Sequence, residues 1–259
     1  LAAEGMAFSS ANSINWGRLA PQIVYYFSAY CDLVADGAIK NGDKINVVVP
    51  TGNFGNILAA YYAREMGLPI AKLICASNSN SVLTDFLTTG VYDRNREFFT
   101  TVSPSMDILI SSNLERRLYS LAGSEKVKGW MKQLAECGRY EVDADTLAKL
   151  RSLFAAGCCN DDETKATIAA AYKEKGYLCD THTAVAVKVY YDYKARTGDC
   201  APAVIASTAS PFKFSAAVLE AVEGGAEELD EFAMVARLAE VTGLECPEQL
   251  AGLRDKPVR

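Results

Sequence analysis

Histidine is nearly absent from this 259-residue chain, with His182 standing alone. A zinc site built on two histidines is therefore excluded, and a Ser-His-Asp triad would have to use His182 itself. None of the eight cysteines form a Cys-x-x-Cys pair, and Cys158 and Cys159 are adjacent, so neither a zinc ribbon nor a disulfide framework is indicated. Free thiols in a reducing cytoplasm are expected. Cationic residues are outnumbered, 26 Lys and Arg against 32 Asp and Glu, and a formal net charge of -6 leaves no basic face for nucleic acid. No apolar run approaches the roughly 18 residues that would span a membrane. Internal repeats and low-complexity segments are missing too. The first residue is Leu1, with no initiator Met, signal peptide or transit-like stretch, a start expected of a trimmed piece.

What is there is an ordinary globular composition, 50% hydrophobic and 22% charged, with enough apolar residues for a substantial core. Apolar positions at Leu19, Ile23, Val24, Phe27 and Cys31 keep helical spacing and predict a lead helix over 12–34, with Ser13 or Asn15 near its cap. A strand from Ile45, a helix over 57–66, a stop at Gly67-Leu68-Pro69 and a strand over 72–76 form a βαβ unit. From Ser81 the pattern changes to short amphipathic helices over 82–87, 114–121, 127–134, 146–154 and 163–172. A hinge at Glu223-Gly224-Gly225-Ala226-Glu227-Glu228 leads to one more helix over 231–242. The expected organisation is an α/β domain of residues 1–102 and 176–225, a helical insertion over 103–175 and a helical tail over 226–259.

The segment Pro50-Thr51-Gly52-Asn53-Phe54-Gly55-Asn56 hangs on the apolar run Ile45-Asn46-Val47-Val48-Val49. A strand that breaks here and re-enters a helix near Ile57 presents backbone N–H groups at a helix N-terminus, where the dipole favours an anion. The glycines Gly52 and Gly55 let backbone approach a ligand closely, and no Lys-Ser/Thr pair follows Gly55, which argues against a nucleotide P-loop. A plain chain reversal is the other reading of such a loop. Farther on, the run 203–206 reads as a second buried strand and also ends in small hydroxylated residues, Ser207-Thr208-Ala209-Ser210. Ligands in open α/β sheets sit beyond the carboxyl ends of strands, so both ends could meet over one ligand. His182, just ahead of a helical run over 183–197, reads as a structural hydrogen-bonder.

Four motifs then carry a resemblance. Ser10-Ala11-Asn12-Ser13-Ile14-Asn15-Trp16-Gly17-Arg18, Pro50 to Asn56, Asp180-Thr181-His182-Thr183-Ala184-Val185 and Ser207-Thr208-Ala209-Ser210-Pro211-Phe212-Lys213-Phe214 resemble, in this order, the second half of threonine synthase. Ser103-Pro104-Ser105-Met106-Asp107-Ile108 and Ser112-Asn113-Leu114-Glu115-Arg116 extend the match. The resemblance implies an open parallel sheet with flanking helices, that is pyridoxal-phosphate fold type II, similar to the tryptophan synthase beta subunit, with a helical insertion and a helical C-terminal tail.

It also implies a lyase that takes O-phosphohomoserine and water to threonine and phosphate with pyridoxal 5'-phosphate. By motif, Gly52, Asn53, Phe54, Gly55 and Asn56 would cradle the cofactor phosphate and Thr208 would face the pyridine nitrogen. Asn12, Ser13 and Arg18 would hold the substrate phosphate. From the residues alone, Asn12 and Ser13 are N-caps and Arg18 a surface charge. Many relatives have His where Ser210 stands, and Asp107 and Asn113 fit motifs without a chemical role. No Ser-Phe-Lys-Asp segment, the family's Schiff-base site, occurs in the chain, and Lys213 lies at a different place in the pattern. The expected partner is therefore the missing N-terminal half of the same enzyme, and the chain alone is expected to be inactive. A related phospho-lyase, an amino-acid dehydratase and a non-catalytic anion-binding fragment are the alternatives.

Overall fold

The structure, a computed structural model, describes residues 4–6, 12–225 and 229–257. Ser10 and Ala11 of the first motif, and residues 226–228 of the expected hinge, lie outside the described residues. In chain order the elements are α1 (Trp16–Leu19), α2 (Gln22–Ala35), β1 (Ile45–Pro50), α3 (Gly55–Glu65), β2 (Ile70–Ser77), α4 (Val82–Thr89), β3 (Val91–Asp93), α5 (Leu114–Cys137), β4 (Arg139–Glu141) and α6 (Ala144–Leu153). They continue with β5 (Phe154–Cys158), α7 (Asp161–Lys175), α8 (Thr181–Thr197), β6 (Ala203–Ile205), α9 (Ser215–Glu223), α10 (Glu231–Thr242) and α11 (Glu248–Ala251). Two 3₁₀ turns, Pro104–Met106 and Pro211–Phe214, stand between them.

The main sheet has the order β5-β2-β1-β6, and every pairing in it is parallel. β1 is buried along its whole length, so its side chains must be apolar on both faces. Val47 and Val49 join the core made with α2, α3 and α5, whereas Val48 joins Ile74, Val185, Ala186 and Val189 in the core beneath α8. That period-two division puts helices on both faces of an open parallel sheet and leaves all four strand ends at one edge.

Three expectations need correction. The lead helix over 12–34 is two helices, because Pro21 has no N–H to continue the ladder from α1 into α2. The run at 203–206 is half-buried rather than buried, since β6 pairs with β1 alone among the described residues. The block over 103–175 is not purely helical. Its β4 pairs antiparallel with β3, where Tyr92 and Tyr140 stack with centroids 5.2 Å apart, and its β5 extends the main sheet. Phe154-Ala155-Ala156-Gly157-Cys158 has little intrinsic strand preference, so the open edge of β2 supplies the conformation, from Leu73↔Phe154 to Ser77↔Cys158. Within α5, Gly123 departs from helical dihedrals (φ 78, ψ 173), which marks the break expected between 121 and 127.

α10 follows its expected limits, Asp230 capping it through Ala233 N–H. Among the described residues no helix is long and apolar enough to cross a membrane. α8 lies close on the sheet because Gly157 has no side chain: a Cβ there would sit 2.9 Å from Val189 Cγ1. Valine cannot swing aside, being branched at Cβ. Gly157→Ala is therefore expected to cost about 1 to 3 kcal/mol of stability, the range for overpacking a filled core, read from the midpoint of urea unfolding.

Candidate anion-binding site at the carboxyl edge of the sheet

β1 ends at Pro50, and Thr51 makes the last ladder bond, its N–H to the Ala76 carbonyl at 2.8 Å. The chain then turns through Gly52 and Asn53 into α3. Among the described residues the N–H groups of Gly52, Asn53, Phe54, Gly55 and Asn56 donate to no protein acceptor. The carbonyls of the same loop are engaged: Ser111 Oγ donates to Gly52 O at 3.0 Å and Asn113 Nδ2 to Asn53 O at 2.9 Å. In a trans peptide the C=O and the following N–H point opposite ways, so these two bonds turn the Asn53 and Phe54 N–H groups away from the 111–113 segment. Unpaired donors at a helix N-terminus attract an anion, and the α3 dipole adds to the attraction.

Phe54 is the one non-glycine residue with positive φ (60) among the described residues. Its ring is buried against Phe154 at 5.6 Å, and Arg117 lies over the Tyr61 ring at 4.0 Å beside that pair. Burial pushes the Arg117 guanidinium below its ordinary value. The glycines are also required by packing within the protein. A Cβ on Gly52 would meet Ser105 O at 3.0 Å, and one on Gly55 would meet Ser13 Cβ at 3.1 Å, so both make room for protein segments. Asn56 is fixed by Tyr26 of α2, whose hydroxyl donates to Asn56 Oδ1.

Of the three residues expected to hold a second phosphate, Ser13 comes directly to this loop, beside Gly55 and 3.4 Å from Asn113 Nδ2. Asn12 is exposed and accepts Ile14 N–H at 3.1 Å, while Asn15 caps α1 through Gly17 N–H. Arg18 is exposed on α1, its carbonyl accepting from Gln22 Nε2 at 3.1 Å. Thr208 is exposed at the end of the neighbouring strand. Val48 pairs with Ile205, and three residues beyond each of these stand Thr51 and Thr208, so the two strand ends are side by side. Ser210 Oγ accepts Phe212 N–H at 3.3 Å and so caps the second 3₁₀ turn. Lys213 Nζ lies 5.6 Å from the Phe214 ring.

His182 falls in the first turn of α8. Its Nε2 accepts Ser105 N–H at 3.2 Å and its Nδ1 lies 3.1 Å from Asp180 Oδ1, so the ring bridges the Ser105 loop and the start of α8. Asp180, fully buried, caps α8 through His182 N–H at 2.8 Å and Thr183 N–H at 3.3 Å. Burial pushes its carboxyl up, but the bonds from His182 and Thr183 prevail and hold it below the ordinary carboxylate range. Asp107 accepts from Asn78 Nδ2 and Thr101 Oγ1, each at 2.7 Å, and so pins the loop that carries Ser105. In the sequence Asn113 and Arg116 stand in a matching motif without a chemical role, and nothing singles out Ser111. Ser111 and Asn113 act on carbonyls some sixty residues away and Arg116 on the Ile14 carbonyl farther still, which no local spacing signals.

Residues 183–259 match the family described as threonine synthase, C-terminal. Human threonine synthase-like 1 is 48% identical over 222 residues, covering 85% of this chain and 30% of its own length. Threonine synthase of Saccharomyces cerevisiae is 39% identical over 231 residues, covering 83% of this chain and 44% of its own. In three dimensions the PLP-bound threonine synthase of Brucella melitensis superposes with a TM-score of 0.78 at 40% identity, over 94% of this chain and 50% of that one. The yeast enzyme gives 0.81 at 36% identity, over 94% and 48%. The chain is thus related to threonine synthases over most of its length and spans about half or less of the relatives it matches.

Crystals grown from sulfate or phosphate are expected to show an anion on the amides of residues 52–56, read in a difference map. Asp180→Ala is expected to cost about 2 kcal/mol, for a lost cap and lost bonds to a charged acceptor. Because the folded carboxyl is held low, its contribution is present above its unfolded value of about 4 and is lost as pH falls through the lower folded value. Urea unfolding at several pH values should therefore show the variant losing less stability on acidification than the parent.

Proposed function

We propose that this chain, a relative of the threonine synthases, supplies the phosphate-binding half of an enzyme that converts O-phosphohomoserine and water to threonine and phosphate with pyridoxal 5'-phosphate. The observation that carries this reading is the row of unpartnered amides from Gly52 to Asn56 at the start of α3. Those residues fit a phosphate monoester, which needs several donors and no side-chain cation when the donors are preformed. The cofactor, when bound, supplies an electron sink for carbanions on the substrate skeleton. Thr208, at the adjoining strand end, would offer its hydroxyl to the ring nitrogen. A neutral hydroxyl cannot charge-pair with a protonated nitrogen, as a carboxylate would.

Asn12, Ser13 and Arg18 would hold the substrate phosphate, the leaving group, Arg18 through its planar fork of donors. Ser13 is the one among them that the fold seats against the cofactor loop. No Ser-Phe-Lys-Asp segment occurs in the 259 residues, so the family's lysine would come from outside them, and the chain alone would be inactive. Lys213, on a 3₁₀ turn after β6, is not read as its substitute. The location we infer is the cytoplasm, where the free thiols would persist. Burial pushes the Cys159 thiol up to about 11 and makes it a poor nucleophile. A related phospho-lyase is the second reading, since the same two phosphate sites would serve elimination of phosphate followed by hydrolytic loss of ammonia to a 2-keto acid.

The test compares the chain alone with the chain joined to the N-terminal portion that its relatives carry, assaying phosphate, threonine and 2-keto acid from O-phosphohomoserine. Threonine from the joined form alone is expected, and keto acid in its place would favour the phospho-lyase. In the joined form Arg18→Ala is expected to lower kcat/KM by about 2 to 4 kcal/mol with little change in cofactor affinity.

A further inference from the structure

Two residues at the start of α5 break the usual preferences of a helix N-terminus. Asn113 occupies the N-cap position and is of the residue type that caps best, yet its side chain makes no capping bond. It is fully buried and turned toward another part of the chain, where Nδ2 donates to Asn53 O at 2.9 Å and lies 3.4 Å from Ser13 Oγ. Arg116 is a cation in the first turn, against the helix dipole. Its fork explains the position: Nη1 donates to Asn113 Oδ1 at 2.7 Å and Nη2 to the Ile14 carbonyl at 2.6 Å. Violations of local rules concentrate where the structure serves something other than its own stability.

The geometry joins two segments that sequence places some forty residues apart. The 12–15 turn is held by Arg116 through Ile14 and touches Asn113 through Ser13, and the loop at 52–56 is held by Asn113 through Asn53. Gly55 closes the joint from the other side, because any Cβ there would press on Ser13. We propose that Asn113 and Arg116 are positioning residues that lock the 12–15 turn onto the 52–56 loop, so that the two phosphate sites form one unit and bind anions cooperatively. This rests on the reading of both segments as phosphate sites. One hydrogen-bond network holds both segments, so an anion that stabilises it at one site favours it at the other, and such coupling is reciprocal.

The test is a ¹H–¹⁵N NMR titration of the full 259-residue chain with inorganic phosphate, for the parent, Arg116→Gln, Arg116→Lys and Asn113→Asp. Without phosphate, Arg116→Gln is expected to move the amide resonances of 12–15 and 53–55 together and to leave β2 in place. With phosphate, both segments of the parent should titrate at a shared midpoint, which Arg116→Gln and Asn113→Asp raise about tenfold at both. Arg116→Lys keeps the charge and loses the fork, and it should recover little of that loss. Full recovery by lysine would overturn positioning in favour of plain charge. Phosphate-free shifts confined to α5, or phosphate binding at 52–56 that leaves 12–15 unmoved, overturn the lock and spare the reading of the site. No response at 52–56 in the parent overturns both.

Discussion

The orientation of two peptide planes between Gly52 and Phe54 is the constraint on which the candidate site depends. Ser111 and Asn113 engage the two carbonyls, and the trans geometry of the backbone then turns the following N–H groups the other way. Everything around the loop serves to keep it so. β1 delivers the chain at a buried, immobile strand end, α3 begins within the loop, and the packing of Gly52 on Ser105 and Gly55 on Ser13 leaves no slack.

Phe54 shows how such a loop is tolerated. A non-glycine residue with φ near 60 costs on the order of 1 to 3 kcal/mol, and burial of a phenyl ring returns about 1.5 to 3 kcal/mol. The ring of Phe54 sits in the main core against Phe154 of β5, so the strain and its compensation lie in one residue. β5 thereby does more than widen the sheet: it backs the loop, and its Gly157 admits α8 on the opposite face. α8 in turn carries Asp180 and His182, whose bonds hold the Ser105 loop against Gly52.

The relatives share sequence and fold over most of the chain, while the unpartnered amides are a property of the backbone alone. The chain spans about half or less of these relatives, and no Ser-Phe-Lys-Asp segment occurs in it.

The strongly patterned elements were legible in the residues: β1 and β2, α3 between them, α4, α6, α7, α8 and α10 all follow local apolar runs or spacing. The loop at 52–56 was legible as well, because a buried strand running into Pro-Thr-Gly and then a helix allows few alternatives. β5 was not, since Ala-Ala-Gly has no strand preference and becomes a strand only where β2 offers an edge. The break between α1 and α2 was written in Pro21, but helical spacing on either side of it outweighed that single residue. The roles of Ser111, Asn113 and Arg116 belonged to the tertiary structure alone. A side chain that orients a distant carbonyl leaves no periodic trace in its own segment, because its partner is chosen by the packing of the whole sheet and not by its neighbours in the chain.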